Sequence, residues 1–474
     1  MNAPVAFDGP RGPHPGKSCA AVVAVLLAAT ALWPPAAHAD DAVLQWNQAI
    51  CEAIRATDLV ANPGLSSRNM AMMNLAAYDA VMGILGTHES FYVMPAAPAG
   101  ASPRAAATEA SYGVLSALYP SEQAALDVLR AQQLGALPAD QARTDGMAWG
   151  QAVASAILAW RSTDGANDPP VQYLPSPDPG TWHPDPILQA EHGITQEAWG
   201  PAWGSLTPFA IASGDQFRPP APPSFDSPEF LAAYSEAKAL GALASATRTQ
   251  EQTEIGLFWA YDRPAMGPPP IMFNQVVAQL AEQQGNDWLT NVRLFAMTST
   301  ALADAGVEAW DAKYAYDLGR PVTLIREAAL LGVGGLEADL DWRPLGAPGG
   351  DSPDFTPPFP TYVSGHATFG GALFEMLGLF YGTDEIPFIL VSDEMGVAYQ
   401  RQYDSFSEAM AENGRSRVYL GIHWSFDDTA GQIVGMAIAD DIYGNHFAAI
   451  PEPATMSLLA LGGLGVLIRR RRER

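Results

Sequence analysis

The sequence predicts an all-α fold, and three observations predict it. Leucine, alanine and methionine recur at helical spacing through most of the 474 residues. Alternating β-branched runs are scarce. The irregular stretches are concentrated in two proline-rich regions, which separate long periodic windows. In chain order the first helical windows are 42–60, 66–86, 102–118, 121–133 and 138–161. Thirteen prolines between Pro169 and Pro223 then exclude a long helix or a central strand. Periodicity resumes over 228–260, 270–284 and 287–318. A second irregular region, Pro344 to Pro360, precedes windows at 364–381, 392–412 and 424–443. Both irregular regions are expected as loops, and long loops inside a compact protein are often functional.

The two ends are expected to be addresses. Arg11 and Lys17 precede the apolar run "CAAVVAVLLAATALW", and "AHA" ends before Asp40, which is the layout of a signal peptide over 1–39. The run is short for a membrane span. At the other end, "PEPATMSLLALGGLGVLIRRRRER" (451–474) is Pro-Glu-Pro, an apolar stretch and a basic cluster. It resembles the bacterial PEP-CTERM sorting signal, which implies an exosortase-type processing partner; the other reading is a short C-terminal anchor. The expectation is export, with a periplasmic, cell-surface or extracellular mature protein.

Between these ends the expected organisation is an N-terminal helical region, 40–227, and a C-terminal helical domain, 228–450, which carries the site. An internal echo supports two related bundles. "RNMAMMNLAAYDA" from Arg68 and "RLFAMTSTALADA" from Arg293 share arginine, Ala-Met, alanine and Asp-Ala at the same offsets. The formal charge is −26, and near −30 without the two ends. Such a surface argues against nucleic acid or anionic lipid as partner, and makes clustered cations inside the fold exceptional. Apart from Cys19 in the leader, only Cys51 is present, so neither an internal disulfide nor a cysteine metal site is available to the mature chain.

Three segments hold those cations. In "KYAYDLGRP", Lys313 and Arg320 are seven residues apart, close to two turns, so a continuous helix ended by Pro321 would put both on one face. The bland reading is a solvated basic face, which the low cation content weakens. In "PPFPTYVSGHATFGGALFEMLGLF", Ser364-Gly365-His366 falls at a helix N-terminus, where outward N–H groups favour an anion and Gly365 permits close approach. Ser364 is there either the N-cap or a ligand group. In "NGRSRVYLGIHWSFDD", His423 and Asp427 are four apart, on one face of a helix starting near Trp424, with Arg417 just upstream. The carboxylate can hold one imidazole nitrogen and aim the other at a ligand. Two guanidiniums, an ammonium, a hydroxyl, backbone amides and two histidines make a pocket for a tetrahedral oxyanion. One histidine would bond its central atom and the other would move protons.

The triple pattern Lys313–Arg320–Pro321, Ser364–Gly365–His366 and Ser416–Arg417–His423–Asp427 resembles that of the vanadium haloperoxidases and the type 2 phosphatidic acid phosphatases. Val363 departs from it, standing where the family usually has proline. Around the motifs, "WDAKYAYDLGRP", "PPFPTYVSGHATFGGALFEM" and "GLFWAYD" are similar to stretches of fungal-type vanadium chloroperoxidases, a likeness spanning about 250–445. The resemblance implies vanadate, or phosphate in its place, as the bound oxyanion. It implies metal ligation by His423, oxygens held by Lys313, Arg320, Ser364, Gly365 and Arg417, and acid–base work by His366. Lys313 would polarise the oxygen that the halide attacks. Trp310 and Phe359 would stand beside the halide, where core packing is the ordinary alternative, and Asp262 would pair with Arg417. The implied activity is oxidation of chloride or bromide to hypohalous acid by hydrogen peroxide, with an organic acceptor left open. The alternative is an acid phosphatase in which His423 forms a phosphohistidine and His366 protonates the leaving alcohol. A structural surface protein with a disused site is a third class; retention of every site residue type argues against it.

Overall fold

The computed structural model describes residues 41–57, 62–94, 97–263, 266–396 and 398–451. The expected leader over 1–39 and the tail beyond Pro451 lie outside the described residues. Helices dominate: α1 (Ala42–Thr57), α2 (Pro63–Leu85), α3 (Pro103–Leu118), α4 (Gln123–Gly135), α5 (Gln141–Arg161), α6 (Pro186–His192), α7 (Pro228–Leu240), α8 (Gln250–Phe258), α9 (Pro269–Gln284), α10 (Trp288–Tyr316), α11 (Pro321–Arg326), α12 (Gly365–Tyr381), α13 (Phe406–Tyr419) and α14 (Ser425–Asn445). The one sheet among the described residues is the antiparallel pair β1 (Phe388–Val391) and β2 (Gln400–Tyr403), with Phe388 opposite Tyr403. Prolines open α2, α3, α6, α7, α9 and α11, where a missing N–H costs nothing and the fixed φ suits the first turn. Ser102, Asp140, Ser227 and Asp287 cap α3, α5, α7 and α10.

Helices α2 and α10 pack on each other at the centre and carry the sequence echo. The paired aspartates do the same job. Asp79 accepts the N–H groups of Phe91, Tyr92 and Val93, and Asp304 those of Phe209, Ala210 and Ile211. Each buried carboxylate gathers three successive amides of the loop that crosses its helix. On the site side, α12 packs against α14, α10 and α13. Contact of α12 with α14 is close because Gly371 and Gly435 lie against backbone of the partner helix, at 2.5 Å and 2.2 Å from where a Cβ would stand.

Three sequence expectations change. The 228–260 window is two helices. Arg248 Nη1 donates to the Leu240 and Ala242 carbonyls at 2.5 and 2.7 Å, ending α7, and a Thr249–Gln252 capping box opens α8. The 392–412 window is no continuous helix. Gln279 and Gln283 of α9 bond the backbone of Val391 and Ile389, which holds β1 extended, and α13 starts only at Phe406. Finally, α10 stops at Tyr316, because Asp317 turns into the left-handed region at φ 50°. Lys313 and Arg320 therefore do not share a helix face, and Pro321 begins α11 instead of ending α10.

Candidate active site

The three sequence segments converge. Lys313, Arg320, Ser364, Gly365, His366, Arg417, His423 and Asp427 are all buried, and Asp262, Trp310, Phe359, Gly365, His366, Arg417 and His423 line one small cavity. Each arrives by a different local device. Lys313 sits in the last turn of α10; Arg320 is the N-cap residue of α11; Gly365 and His366 open α12; Arg417 lies in the last turn of α13.

His423 lies just outside the helix expected to carry it, since α14 begins at Ser425 with Trp424 as N-cap. The spacing of four still works, because Asp427 sits at the third helical position and reaches back. Its Oδ2 accepts Trp424 N–H at 3.1 Å and stands 2.8 Å from His423 Nδ1. Thr361, which the sequence reading did not single out, completes this corner. Its hydroxyl donates to Asp427 Oδ2 and lies 3.1 Å from Nδ1. With Nδ1–H committed to these oxygens, the neutral imidazole carries its lone pair on Nε2. Burial and the nearby Arg320 and Lys313 charges hold the His423 pKa well below the usual histidine range, which keeps that lone pair free of a proton. Arg320 Nη1 lies 2.9 Å from Nε2.

The cations are anchored by backbone oxygen. Lys313 Nζ donates to the carbonyls of Pro360 (3.1 Å), Thr361 (3.0 Å) and Val363, which commits its three donors to the loop leading into α12. Arg320 donates to Phe359 O at 2.9 Å and Ile422 O at 2.8 Å. Arg417 pairs with Asp262. Phe359 lies under both cations, 5.1 Å from Lys313 Nζ and 4.9 Å from the Arg320 guanidinium. Ser364 is the N-cap of α12, accepting Ala367 N–H at 3.4 Å. His366 Nε2 faces the Trp259 and Ala260 carbonyls at 3.0 and 2.9 Å, so this nitrogen carries the hydrogen. Burial and Arg417 push the His366 pKa down to about 3.

Three cations face two carboxylates, Asp262 and Asp427, so the buried cluster is short of negative charge. Burial lowers the pKa of Arg320 to about 9 and that of Lys313 well below its usual value. Two buried guanidinium donors, Arg320 Nη2 and Arg417 Nε, have no partner. A Cβ built on Gly365 would stand 3.4 Å from the Trp310 ring, at ordinary contact, so protein packing does not demand the glycine. Uncompensated charge, orphaned donors and an open glycine beside an unprotonated imidazole fit a tetrahedral oxyanion whose central atom takes a nitrogen ligand.

Fold and site thus define a helical protein with a buried cationic cavity whose free donors suit an oxyanion. Residues 293–450 match the VCPO second helical-bundle domain, and residues 449–472 match the PEP-CTERM protein-sorting motif. A vanadium chloroperoxidase of Curvularia inaequalis is 28% identical over 501 residues, covering 85% of this chain and 81% of that protein. Among solved structures, a bacterial vanadium-dependent iodoperoxidase superposes with TM-score 0.72 at 24% identity, over 87% of this chain and 98% of that one. A holo-type bacterial vanadium-dependent chloroperoxidase gives TM-score 0.62 at 18% identity, over 81% and 93%. Apart from the sorting motif, these matches are all with vanadium haloperoxidases, and the likeness to the solved structures extends over the helical fold of most of the chain.

Proposed function

We propose that the protein is a vanadium-dependent haloperoxidase that oxidises halide to hypohalous acid with hydrogen peroxide. The observation that carries this reading is the buried Lys313–Arg320–Arg417 cluster around His423, with its surplus positive charge and unpartnered donors. Vanadate is the group these residues fit, and when bound it supplies a Lewis acid that activates peroxide without a change of oxidation state. His423 Nε2 offers the single nitrogen ligand, and Asp427 with Thr361 keeps its proton on Nδ1. Arg320 and Arg417 hold oxygens with the donors left over from their backbone and Asp262 bonds. Gly365 lets them approach the α12 N-terminus, and Ser364 contributes its hydroxyl hydrogen while its oxygen caps the helix. Lys313 acts through its charge and by shaping the Pro360–Val363 loop. His366, its Nε2–H bound to carbonyls, has only Nδ1 available for taking a proton from peroxide. Trp310 and Phe359 give the halide an apolar wall, their ring centroids 4.9 Å apart.

The sorting motif adds export, trimming by an exosortase-type enzyme, and delivery of the mature enzyme to the periplasm, cell surface or medium. The test is purified apo-protein with and without orthovanadate, assayed for peroxide-dependent halogenation of a phenolic dye with chloride, bromide and iodide in turn. Activity appearing only with vanadate is expected, and His423→Ala should abolish both vanadate binding and turnover. Phosphate-ester hydrolysis inhibited by vanadate, with no halogenation, would overturn the peroxidase reading in favour of the phosphatase.

A further inference from the structure

Trp259 to Asp262 runs along one side of the site, and three of its four residues hold site side chains. The Trp259 and Ala260 carbonyls accept from His366, the Ala260 carbonyl lies 3.5 Å from Arg417 Nη1, and Asp262 pairs with Arg417. Tyr261 alone faces away. Its backbone is in the left-handed region at φ 43°, a conformation that a bulky side chain rarely adopts and that must be held by its surroundings.

Those surroundings are specific. The Tyr261 side chain is fully buried, and its hydroxyl donates to Gln275 Oε1 at 2.9 Å while accepting Asp393 N–H at 2.8 Å. Asp393 is held in turn by Arg55 at 2.6 Å and by Gln275 Nε2 at 2.9 Å. One residue earlier, the Phe258 carbonyl accepts the Ser392 hydroxyl at 2.6 Å. The phenol is thus bolted to α9 and to the segment after β1, and α1 braces that segment from outside. A right-handed or extended residue at this point would send the following carboxylate along a different path.

We propose that Tyr261 is a positioning residue: its anchored phenol holds the 259–262 turn in the one backbone conformation that aims the Trp259 and Ala260 carbonyls at His366 and the Asp262 carboxylate at Arg417. The proposal rests on the haloperoxidase reading of the site. It makes the hydroxyl, which touches no site residue, a determinant of oxyanion affinity and turnover. A tyrosine serving only as core filling would affect melting temperature alone.

The experiment compares wild type, Tyr261→Phe and Gln275→Ala as full-length purified proteins. The phenylalanine keeps the ring and removes the hydroxyl; the alanine removes its acceptor from α9 without touching the turn. Orthovanadate affinity is read by titration calorimetry, together with halide KM, kcat and thermal melting. Loss of both hydrogen bonds of the hydroxyl should weaken orthovanadate binding roughly tenfold in Tyr261→Phe, and loss of the Gln275 amide, which leaves the Asp393 N–H bond in place, about threefold in Gln275→Ala, with kcat falling and halide KM unchanged. If both variants bind orthovanadate and turn over like wild type while only melting lower, the proposal is overturned. If Tyr261→Phe does not fold, the Gln275→Ala affinity alone decides. Wild type that binds no orthovanadate would instead overturn the site reading itself.

Discussion

Thr361 shows how much of the site depends on one small side chain. A carboxylate beside an imidazole fixes its tautomer, but a lone Oδ2 could swing between His423 and the Trp424 amide. The Thr361 hydroxyl, donating to Asp427 and lying 3.1 Å from Nδ1, closes the triangle. Its carbonyl also receives Lys313. Replacing Thr361 by valine keeps the shape and removes the bridge. Orthovanadate affinity measured by calorimetry should fall roughly 10- to 100-fold, the usual cost of losing a hydrogen bond to a metal-binding histidine. An unchanged affinity would assign the orientation of His423 to Asp427 alone. Sequence spacing disclosed His423 and Asp427 because a separation of four is itself a signal. It could not disclose Thr361, which sits among prolines in "PPFPTYVSGH" and is brought in only by the fold. The same limit hid the task of Lys313: its charge was visible in the sequence, while the three carbonyls that take its hydrogens were not.

At the scale of elements, α10 supports the site and also stores an unfavourable group. Glu308, five residues before Lys313, is fully buried; Oε2 accepts Phe217 N–H at 3.2 Å and Oε1 has no partner. Burial pushes its pKa up to about 8. Below the ordinary glutamate value of about 4.5 both folded and unfolded chains keep the proton, so nothing is lost. Between that value and about 8 the unfolded chain gives up the proton and the folded chain retains it, so stability falls as pH rises through this window. The full loss is on the order of 5 kcal/mol. Glu308→Gln cannot ionise. It should melt close to wild type at pH ~5 and clearly higher at pH ~8.5, with a flatter profile between. Parallel melting curves for the two proteins would show that Glu308 is solvated. The course of α10 was readable from its apolar period, whereas its end was not. Nothing in "AYDLGRP" distinguishes two more helical residues from the left-handed Asp317 that accepts the Tyr173 hydroxyl at 2.5 Å. The β1–β2 pair was missed for a related reason: it is held by glutamines of α9, a tertiary effect that local periodicity does not carry.

For the molecule as a whole, composition and site pull in opposite directions. The formal charge is −26, yet three of the scarce cations, Lys313, Arg320 and Arg417, are buried together at the site. The acidic total was legible from the sequence; that the scarce positive groups meet at one point required three motifs in order and then the fold. The consequence for function is kinetic. Halide and orthovanadate are anions approaching a strongly negative surface, and the attractive cluster is buried, with the Asp262 carboxylate lining its cavity. At low ionic strength the long-range field therefore opposes encounter, and it decays within about 10 Å at 0.1 M salt. Added inert monovalent salt such as sodium nitrate should raise kcat/KM for bromide, and speed orthovanadate loading, by a few-fold between roughly 0.01 and 0.2 M. The final affinity for orthovanadate should change much less, because it is set by desolvated contacts that salt screens weakly. Peroxide is neutral, so its KM should not move. A kcat/KM for bromide that falls with salt would mean that the buried cations project an attractive field past the acidic shell, and that steering is local to the cavity mouth.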